Sequence, residues 1–325
     1  MSAYYTVNPD ELKRWQQYAR ANFPSLCQPR QKESHKGSFG TLGIIGGSMG
    51  MSGAIVLAGS AALKTGCGKV WLGFHQDTLP LPLLLNQPEL MLSVARDLLA
   101  RKDIDVWAVG CGLGVSESSR LLLNDLLPIH QPMVLDADAL NLLAKHANLA
   151  EKIRSRKAPT VITPHPGEAA RLLDCHVFDV QANRQSAVFE LSKQYNACVV
   201  LKGSSSLIAS HAEFIASHTG GVARNTSGNP GLATAGSGDV LTGIIGSLLT
   251  QMLNTPMRNT HFSPSWEHWS KEKLSGAYFK EVVASVWLHG LAADVLVMNG
   301  VGPVGLTAGE IADAARWLRN RLAEQ

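Results

Sequence analysis

The stretch from Asn225 to Gly243 reads Asn-Thr-Ser-Gly-Asn-Pro-Gly-Leu-Ala-Thr-Ala-Gly-Ser-Gly-Asp-Val-Leu-Thr-Gly. Glycines at 228, 231, 236 and 238 keep side chains clear of a backbone turn, and the apolar run Asp239 to Leu253 that follows predicts a helix. The start of a helix has free N–H groups and the positive end of the helix dipole, an anion site suited to phosphate. Asp239 falls in the first turn, facing the same anion. A carboxylate there is a helix cap at minimum. A cap needs only one small residue before it, so the density of glycine points further, to a general base that takes a proton from a hydroxyl as a phosphoryl group transfers.

Three other stretches place polar groups or glycines after apolar runs. Thr163-Pro164-His165-Pro166-Gly167-Glu168 has two prolines that stiffen the turn and fix where His165 points, with Glu168 at the start of the next helix. Lys202-Gly203-Ser204-Ser205-Ser206 supplies a cation and three hydroxyls, either a polar hairpin turn or a contact for phosphate or ribose. Gly110 to Gly114 allows close backbone approach. Gly46-Gly47-Ser48 with Gly53-Ala54 is only loosely like a dinucleotide fingerprint. The G-x-G-x-x-G spacing is absent and no acidic residue ends Val70 to Phe74, which disfavours a dehydrogenase. Asp136 and Asp138 read as buried structural caps or as groups acting on metal-bound water. His289, inside an apolar run, reads as a core histidine.

The elements that must position these groups alternate. Strands are predicted at Thr41–Gly46, Lys69–Phe74, Trp107–Val109, Pro132–Asp136, Thr160–Thr163 and Cys198–Lys202, with helices between them, as at Gly53–Lys64. Such alternation indicates an α/β fold with a mostly parallel sheet covered on both faces, and ligands bind at the carboxyl ends of its strands. Leu207–Ala209 with a partner at Glu213–Ala216 predicts some antiparallel structure at one edge. Helices are predicted at Leu12–Ala21, Val282–Met298 and Thr307–Arg321, the second apolar nearly all round and therefore buried. Residues 1–35 read as an N-terminal extension and 36–325 as one domain, interrupted by a surface insertion at about 252–280 that carries Trp266 and Trp269.

Composition narrows the classes. With 325 residues, 45% hydrophobic and 17% charged, the chain suits a soluble protein with a sizeable core. A net charge of +3 without a basic run is too weak to argue for a nucleic-acid partner, and none is expected. Five cysteines without a C-x-x-C pair read as reduced core thiols. The first fifteen residues contain no apolar signal segment, and no apolar stretch reaches membrane-spanning length, so a cytoplasmic protein with no membrane contact is expected.

Gly236-Ser237-Gly238-Asp239 resembles the Gly-Ala-Gly-Asp anion-hole motif of ribokinase-like sugar and vitamin kinases. The longer run Asn229 to Leu241 is similar to one branch, the ADP- or ATP-dependent NAD(P)H-hydrate dehydratases. So, in order, are Lys36-Gly37, Gly46-Gly47-Ser48, Ser52-Gly53-Ala54, Gly110 to Gly114, Leu135 to Asn141, Thr163 to Glu168, Leu201-Lys202-Gly203 and Leu288-His289-Gly290. The resemblance covers roughly residues 35–320. It implies a three-layer α/β/α fold and repair of hydrated NADH or NADPH: the hydroxyl at carbon six is activated by a nucleotide phosphate and eliminated.

Carried over residue by residue, the resemblance makes Asp239 base and substrate contact, with Gly238 offering its backbone to the nucleotide's phosphate. It sets Ala54, Gly112, Gly114 and His165 against the hydrated dinucleotide, and Lys202 with Gly203, Ser204, Ser205 and Ser206 against the adenine nucleotide, ADP or ATP. Glu168 either holds water around Mg2+ or favours its helix N-terminus. Cys111 stands where the family carries proline, a change expected to alter turn stiffness and not chemistry. Relatives imply a homotetramer. The epimerase domain that some relatives carry is not expected in this chain. A vitamin-precursor or sugar kinase of the same fold, and a non-catalytic nucleotide-binding regulator, are the rival functions.

Overall fold

A computed structural model describes residues 5–211, 221–254 and 271–324, with the side chains of 271–275 outside the description. The strands are β1 Thr41–Gly46, β2 Lys69–Phe74, β3 Met91–Val94, β4 Val106–Val109, β5 Met133–Leu135, β6 Thr160–Ile162, β7 Cys198–Leu201, β8 Leu207–Ser210 and β9 Val222–Arg224. They form one sheet in the order β3-β2-β1-β4-β5-β6-β7-β8-β9. From β3 to β7 all pairs are parallel. β8 and β9 add an antiparallel edge. The expected partner at Glu213–Ala216 lies outside the described residues.

β1 and β4 to β8 are buried on both faces, and alternate residues enter opposite layers. In β4, Val106 and Ala108 join one core with Leu42, Ile44 and Val134, while Trp107 and Val109 join the other with Ile45 and Leu135. The helices Ser52–Lys64 and Ser237–Asn254 cover the first face. They cross closely because Gly243 has no Cβ, which would lie 2.0 Å from the Ala58 carbonyl oxygen. Glu117–Leu126, Asp138–Lys145 and Arg184–Tyr195 cover the second face.

The first helix is longer than its sequence indicates, Pro9–Asn22, with Asn8 accepting from the Asp10 N–H at 2.9 Å as its cap. It does not stand apart from the body. Ala19, Phe23 and Leu26 are buried in a third core with Leu288, Ile311 and Leu318. The insertion is shorter than expected. Met252–Asn254 complete the helix Ser237–Asn254, and the helix expected from Val282 begins at Lys271 and runs to Met298; residues 255–270 lie outside the described residues. Its Gly276–Met298 part is long and apolar enough to cross a membrane by length and composition, contrary to the expectation from sequence, and most of it is buried in the fold. None of the five cysteines is in a disulfide; Cys67, Cys111 and Cys198 are buried as expected, but Cys175 is exposed and Cys27 half-buried, so not all are core thiols.

Candidate active site

The carboxyl ends of β1, β4, β5, β6 and β7 lie side by side, and the turns leaving them hydrogen-bond to one another. After β1, the N–H groups of Gly47 and Ser48 donate to the carbonyls of Cys111 and Gly112 after β4, at 3.0 and 2.7 Å. The Asp138 N–H donates to Gly110 at 3.3 Å, and the Lys202 N–H after β7 donates to Pro164 after β6 at 2.8 Å. The adjacent order of these strands therefore brings together residues far apart in sequence. Gly112, at φ +59, adjoins Ala54: a Cβ on it would lie 3.1 Å from the Ala54 Cβ. Gly114, at φ +77, donates its N–H to Asp138 Oδ2 at 2.8 Å.

Asp239 enters from above, in the first turn of Ser237–Asn254. Gly236 before it has φ +87, and a Cβ there would come within 2.4 Å of Leu57 Cδ1, so the turn requires glycine. Burial raises the Asp239 carboxyl, hydrogen bonding to the Cys111 thiol lowers it, and Asp136 raises it again; the result is about 6.

Beneath the turn lies a buried charge network. Lys202 Nζ donates to Asp136 Oδ1 at 2.7 Å and lies 3.9 Å from Glu168 Oε2. Thr242 Oγ1 donates to Asp136 Oδ2 at 2.9 Å. Burial alone would lower the Lys202 ammonium, yet Asp136 and Glu168 hold it above its ordinary value. A Cβ on Gly238 would sit 3.3 Å from Lys202 Nζ and 3.4 Å from Asp136 Oδ2, so the pair forms the floor under the glycine turn.

His165 and Glu168 form a reciprocal cap on the helix Pro166–Leu173. His165 Nδ1 accepts from the N–H groups of Gly167 and Glu168, at 3.0 and 3.3 Å, while Glu168 Oε2 accepts from the His165 N–H at 2.8 Å. The His165 ring is half exposed at the mouth of the site. Burial and the Lys202 charge keep it below its ordinary value, so it is neutral near pH 7. Burial raises Glu168. Among the described residues no cluster of three His, Cys, Asp or Glu side chains could hold a metal.

The Lys202–Ser206 turn is gripped from behind by Arg184, which donates to the carbonyls of Leu201 and Lys202 at 3.1 and 3.4 Å. Ser204 is exposed and Ser205 has φ +59. The N–H of Asn225, the first residue of the glycine-rich run, donates to Ser206 at 2.9 Å. Sequence reasoning missed two further supports. Asp294 accepts from the Gly228 N–H at 2.8 Å and from Asn229 Nδ2 at 3.0 Å, anchoring the loop to the helix Lys271–Met298. An acid in so apolar a helix was the available signal. His289 is a core histidine, as expected, lowered by burial to about 4, but its Nε2 also lies 3.4 Å from Ser237 Oγ at the start of the helix Ser237–Asn254.

A parallel sheet with an antiparallel edge, topped by a glycine-rich turn and an aspartate on a helix start, is the build of the ribokinase-like α/β class. A ribokinase-like superfamily protein from Enterococcus faecalis matches with a TM-score of 0.70 at 27% identity, covering 92% of this chain and 94% of that one. The family model described as NAD(P)H-hydrate dehydratase matches residues 42–315, and the chain belongs to that family. It is 46% identical to the ADP-dependent (S)-NAD(P)H-hydrate dehydratase of Neisseria meningitidis over 97% of this chain and 96% of that protein. The ADP/ATP-dependent NAD(P)H-hydrate dehydratase of Bacillus subtilis, co-crystallised with ATP and Mg2+, matches with a TM-score of 0.72 at 27% identity, covering 94% and 97% of the two chains. The chain spans about half the length of the bifunctional NAD(P)H-hydrate repair enzymes it matches.

Proposed function

We propose that the chain dehydrates the S epimer of hydrated NADH or NADPH at the expense of ADP or ATP, restoring the reduced nicotinamide. The observation that carries this is Asp239: a half-buried carboxylate in the first turn of a helix, above a glycine turn that leaves room for phosphate, with a proton affinity suited to a base near neutral pH.

Asp239 takes the proton of the carbon-six hydroxyl, and the oxygen attacks the terminal phosphorus of the nucleotide. The N–H groups at Gly236–Gly238 stabilise the charge that grows on the transferred group. The bond from that phosphorus to the bridging oxygen breaks and releases AMP from ADP, or ADP from ATP; the ring C–O bond then breaks with phosphate as the leaving group, the neighbouring ring carbon loses a proton to solvent, and the double bond returns. Hydroxide alone is a far poorer leaving group.

Ala54, Gly112, Gly114 and His165 contact the hydrated dinucleotide. Their support is the open backbone after β4 and the half-exposed ring after β6. Lys202 to Ser206 and Gly238 contact the adenine nucleotide, with the Lys202–Asp136 pair under the phosphate and Ser204 exposed, while Ser206 Oγ donates to the Gly203 carbonyl at 3.3 Å. Glu168 would face, through water, an Mg2+ that would offset the charge of the nucleotide phosphates. The protein is cytoplasmic and a homo-oligomer, a tetramer by analogy with its relatives.

Incubation with hydrated NADPH and either nucleotide is the test. Recovery of the near-ultraviolet absorbance of reduced nicotinamide, with stoichiometric release of phosphate, is expected. Stable phosphorylation of a small alcohol without that recovery would make the protein a kinase instead.

A further inference from the structure

Asp136 follows β5 and is buried, one position before the helix Asp138–Lys145. It is not that helix's cap: no side-chain hydrogen bond caps it. Both carboxylate oxygens are taken instead by elements 66 and 106 positions along the chain. Oδ1 accepts from Lys202 Nζ at 2.7 Å, after β7, and Oδ2 accepts from Thr242 Oγ1 at 2.9 Å, in the helix that carries Asp239. The backbone is fixed on every side. The Asp136 N–H donates to the Val109 carbonyl and its carbonyl accepts from the Ala139 N–H, each at 3.1 Å. A Cβ on Gly110 would lie 1.9 Å from that carbonyl, so β4 ends in glycine to admit it. Ala137, the next residue, is held at φ +50 and ψ −116, a conformation that a residue with a Cβ keeps only where its surroundings impose it.

We infer that Asp136 is a positioning residue for the nucleotide: its carboxylate, oriented by Thr242, fixes the Lys202 ammonium beneath the Gly236–Gly238 turn. The inference rests on one part of the proposed function, that a nucleotide phosphate lies above that turn. Lysine is a point charge on a flexible stem, so what it does for a phosphate depends on where it is held. Among the described residues Asp136 is the one hydrogen-bond acceptor of Nζ; Glu168 Oε2 stands off at 3.9 Å, and Arg184 grips only the Lys202 carbonyl. One ammonium proton is used by Asp136, and two are left for an anion. With Lys202 on one oxygen and Thr242 on the other, the carboxylate cannot turn. Because Thr242 shares a helix with Asp239, the cation and the base are set against the same support.

The test is a double-mutant cycle read by ADP binding, which needs no hydrate. Isothermal titration calorimetry with ADP is run on wild type, Asp136→Asn, Lys202→Met and the double variant, with urea unfolding of each. Asp136→Asn keeps the shape and loses the charge. It should weaken ADP binding by roughly tenfold or more, and raise KM for ADP while KM for the hydrate holds, as expected for the loss of a charge-assisted hydrogen bond that orients the lysine. In the Lys202→Met background the same change should weaken ADP by less than about twofold, since the residue it acts through is gone. A merely structural role would weaken ADP equally in both backgrounds. That result, or undiminished ADP binding in Asp136→Asn, overturns the proposal. Should Asp136→Asn fail to fold, Thr242→Val decides the matter, because it frees Oδ2 and leaves the ion pair. A smaller loss of ADP affinity is expected, again absent in Lys202→Met; a loss independent of Lys202, or no loss, overturns the proposal. Wild-type protein that binds no ADP also overturns it. Wild-type protein that binds ADP but does not restore reduced nicotinamide from the hydrate removes the proposed function, while the binding cycle still decides the role of Asp136.

Discussion

At the scale of single residues, the proposed chemistry turns on how one carboxylate is made basic without being made inert. Burial lifts Asp239 to about 6. A base must be ionised to take a proton, so kcat/KM should fall as pH drops through about 6 and level off above about 7. A pH–rate profile on hydrated NADPH checks this, and a profile flat down to pH 5 would remove Asp239 from the role. Asp239→Asn keeps the shape and loses the base. Its turnover should fall by about 10²- to 10⁴-fold, with the unfolding midpoint in urea held or raised, because an unfavourably buried charge is gone. His165 contrasts with it. Its ring is neutral and capped into place by Glu168, so it suits contact through a hydrogen bond and not charge.

At the scale of elements, the catalytic turn is only as rigid as the helix behind it. Asp294 collects the Gly228 N–H and the Asn229 side chain, while Ser227 Oγ donates to the Trp287 carbonyl at 2.9 Å. Asp294→Ala leaves those loop donors without their acceptor, at a cost of about 1–3 kcal/mol. Its signature should be a raised KM for the nucleotide with the pH limb of Asp239 unmoved; steady-state kinetics over a nucleotide series reads both. The elements were unequally legible in the sequence. β1, β2 and β4 to β7 announce themselves as apolar runs ending in glycine or polar turns, because both faces are buried. β3 does not: Met91–Val94 is short, only half buried, and runs straight into the helix Ala95–Leu99. The polar start of the helix at Lys271 reads as surface insertion because a polar stretch carries no apolar period in the sequence. The site divides likewise. Asp239 and its glycines are local in sequence and were found there. The Lys202–Asp136 pair spans 66 positions and exists only because β5, β6 and β7 lie adjacent, which no spacing in the chain encodes.

At the scale of the whole molecule, the two ends of the chain meet on the far helices around one buried acid. Glu281 Oε2 accepts from Ser25 Oγ at 3.0 Å, and Arg319 donates to the Ser25 carbonyl and to Gln251 Oε1, each at 3.2 Å. The N-terminal segment, the catalytic helix Ser237–Asn254, the helix Lys271–Met298 and the terminal helix Ala308–Ala323 are thereby tied together. Burial pushes Glu281 from 4.5 up to about 7, with Ser25 and Arg319 pulling it part of the way back. Below about pH 4.5 folded and unfolded chains both hold this proton, and the acid costs nothing. Between about 4.5 and 7 the folded protein keeps a proton the unfolded chain has lost, so the contribution of Glu281 to stability declines as pH rises and is lowest above 7. Asp239 acts in the same direction over a lower window, from 3.8 to about 6. Glu281→Gln separates the two, because the amide keeps an acceptor for Ser25 and cannot ionise. The variant should exceed wild type in unfolding free energy by about 1–3 kcal/mol at pH 8, with the difference vanishing near pH 4.5, as measured by urea unfolding across that range. A variant less stable at pH 8 would mean that the ionised Glu281–Arg319 attraction outweighs the burial of the charge, and that the far helices are held by an ion pair and not by a protonated acid.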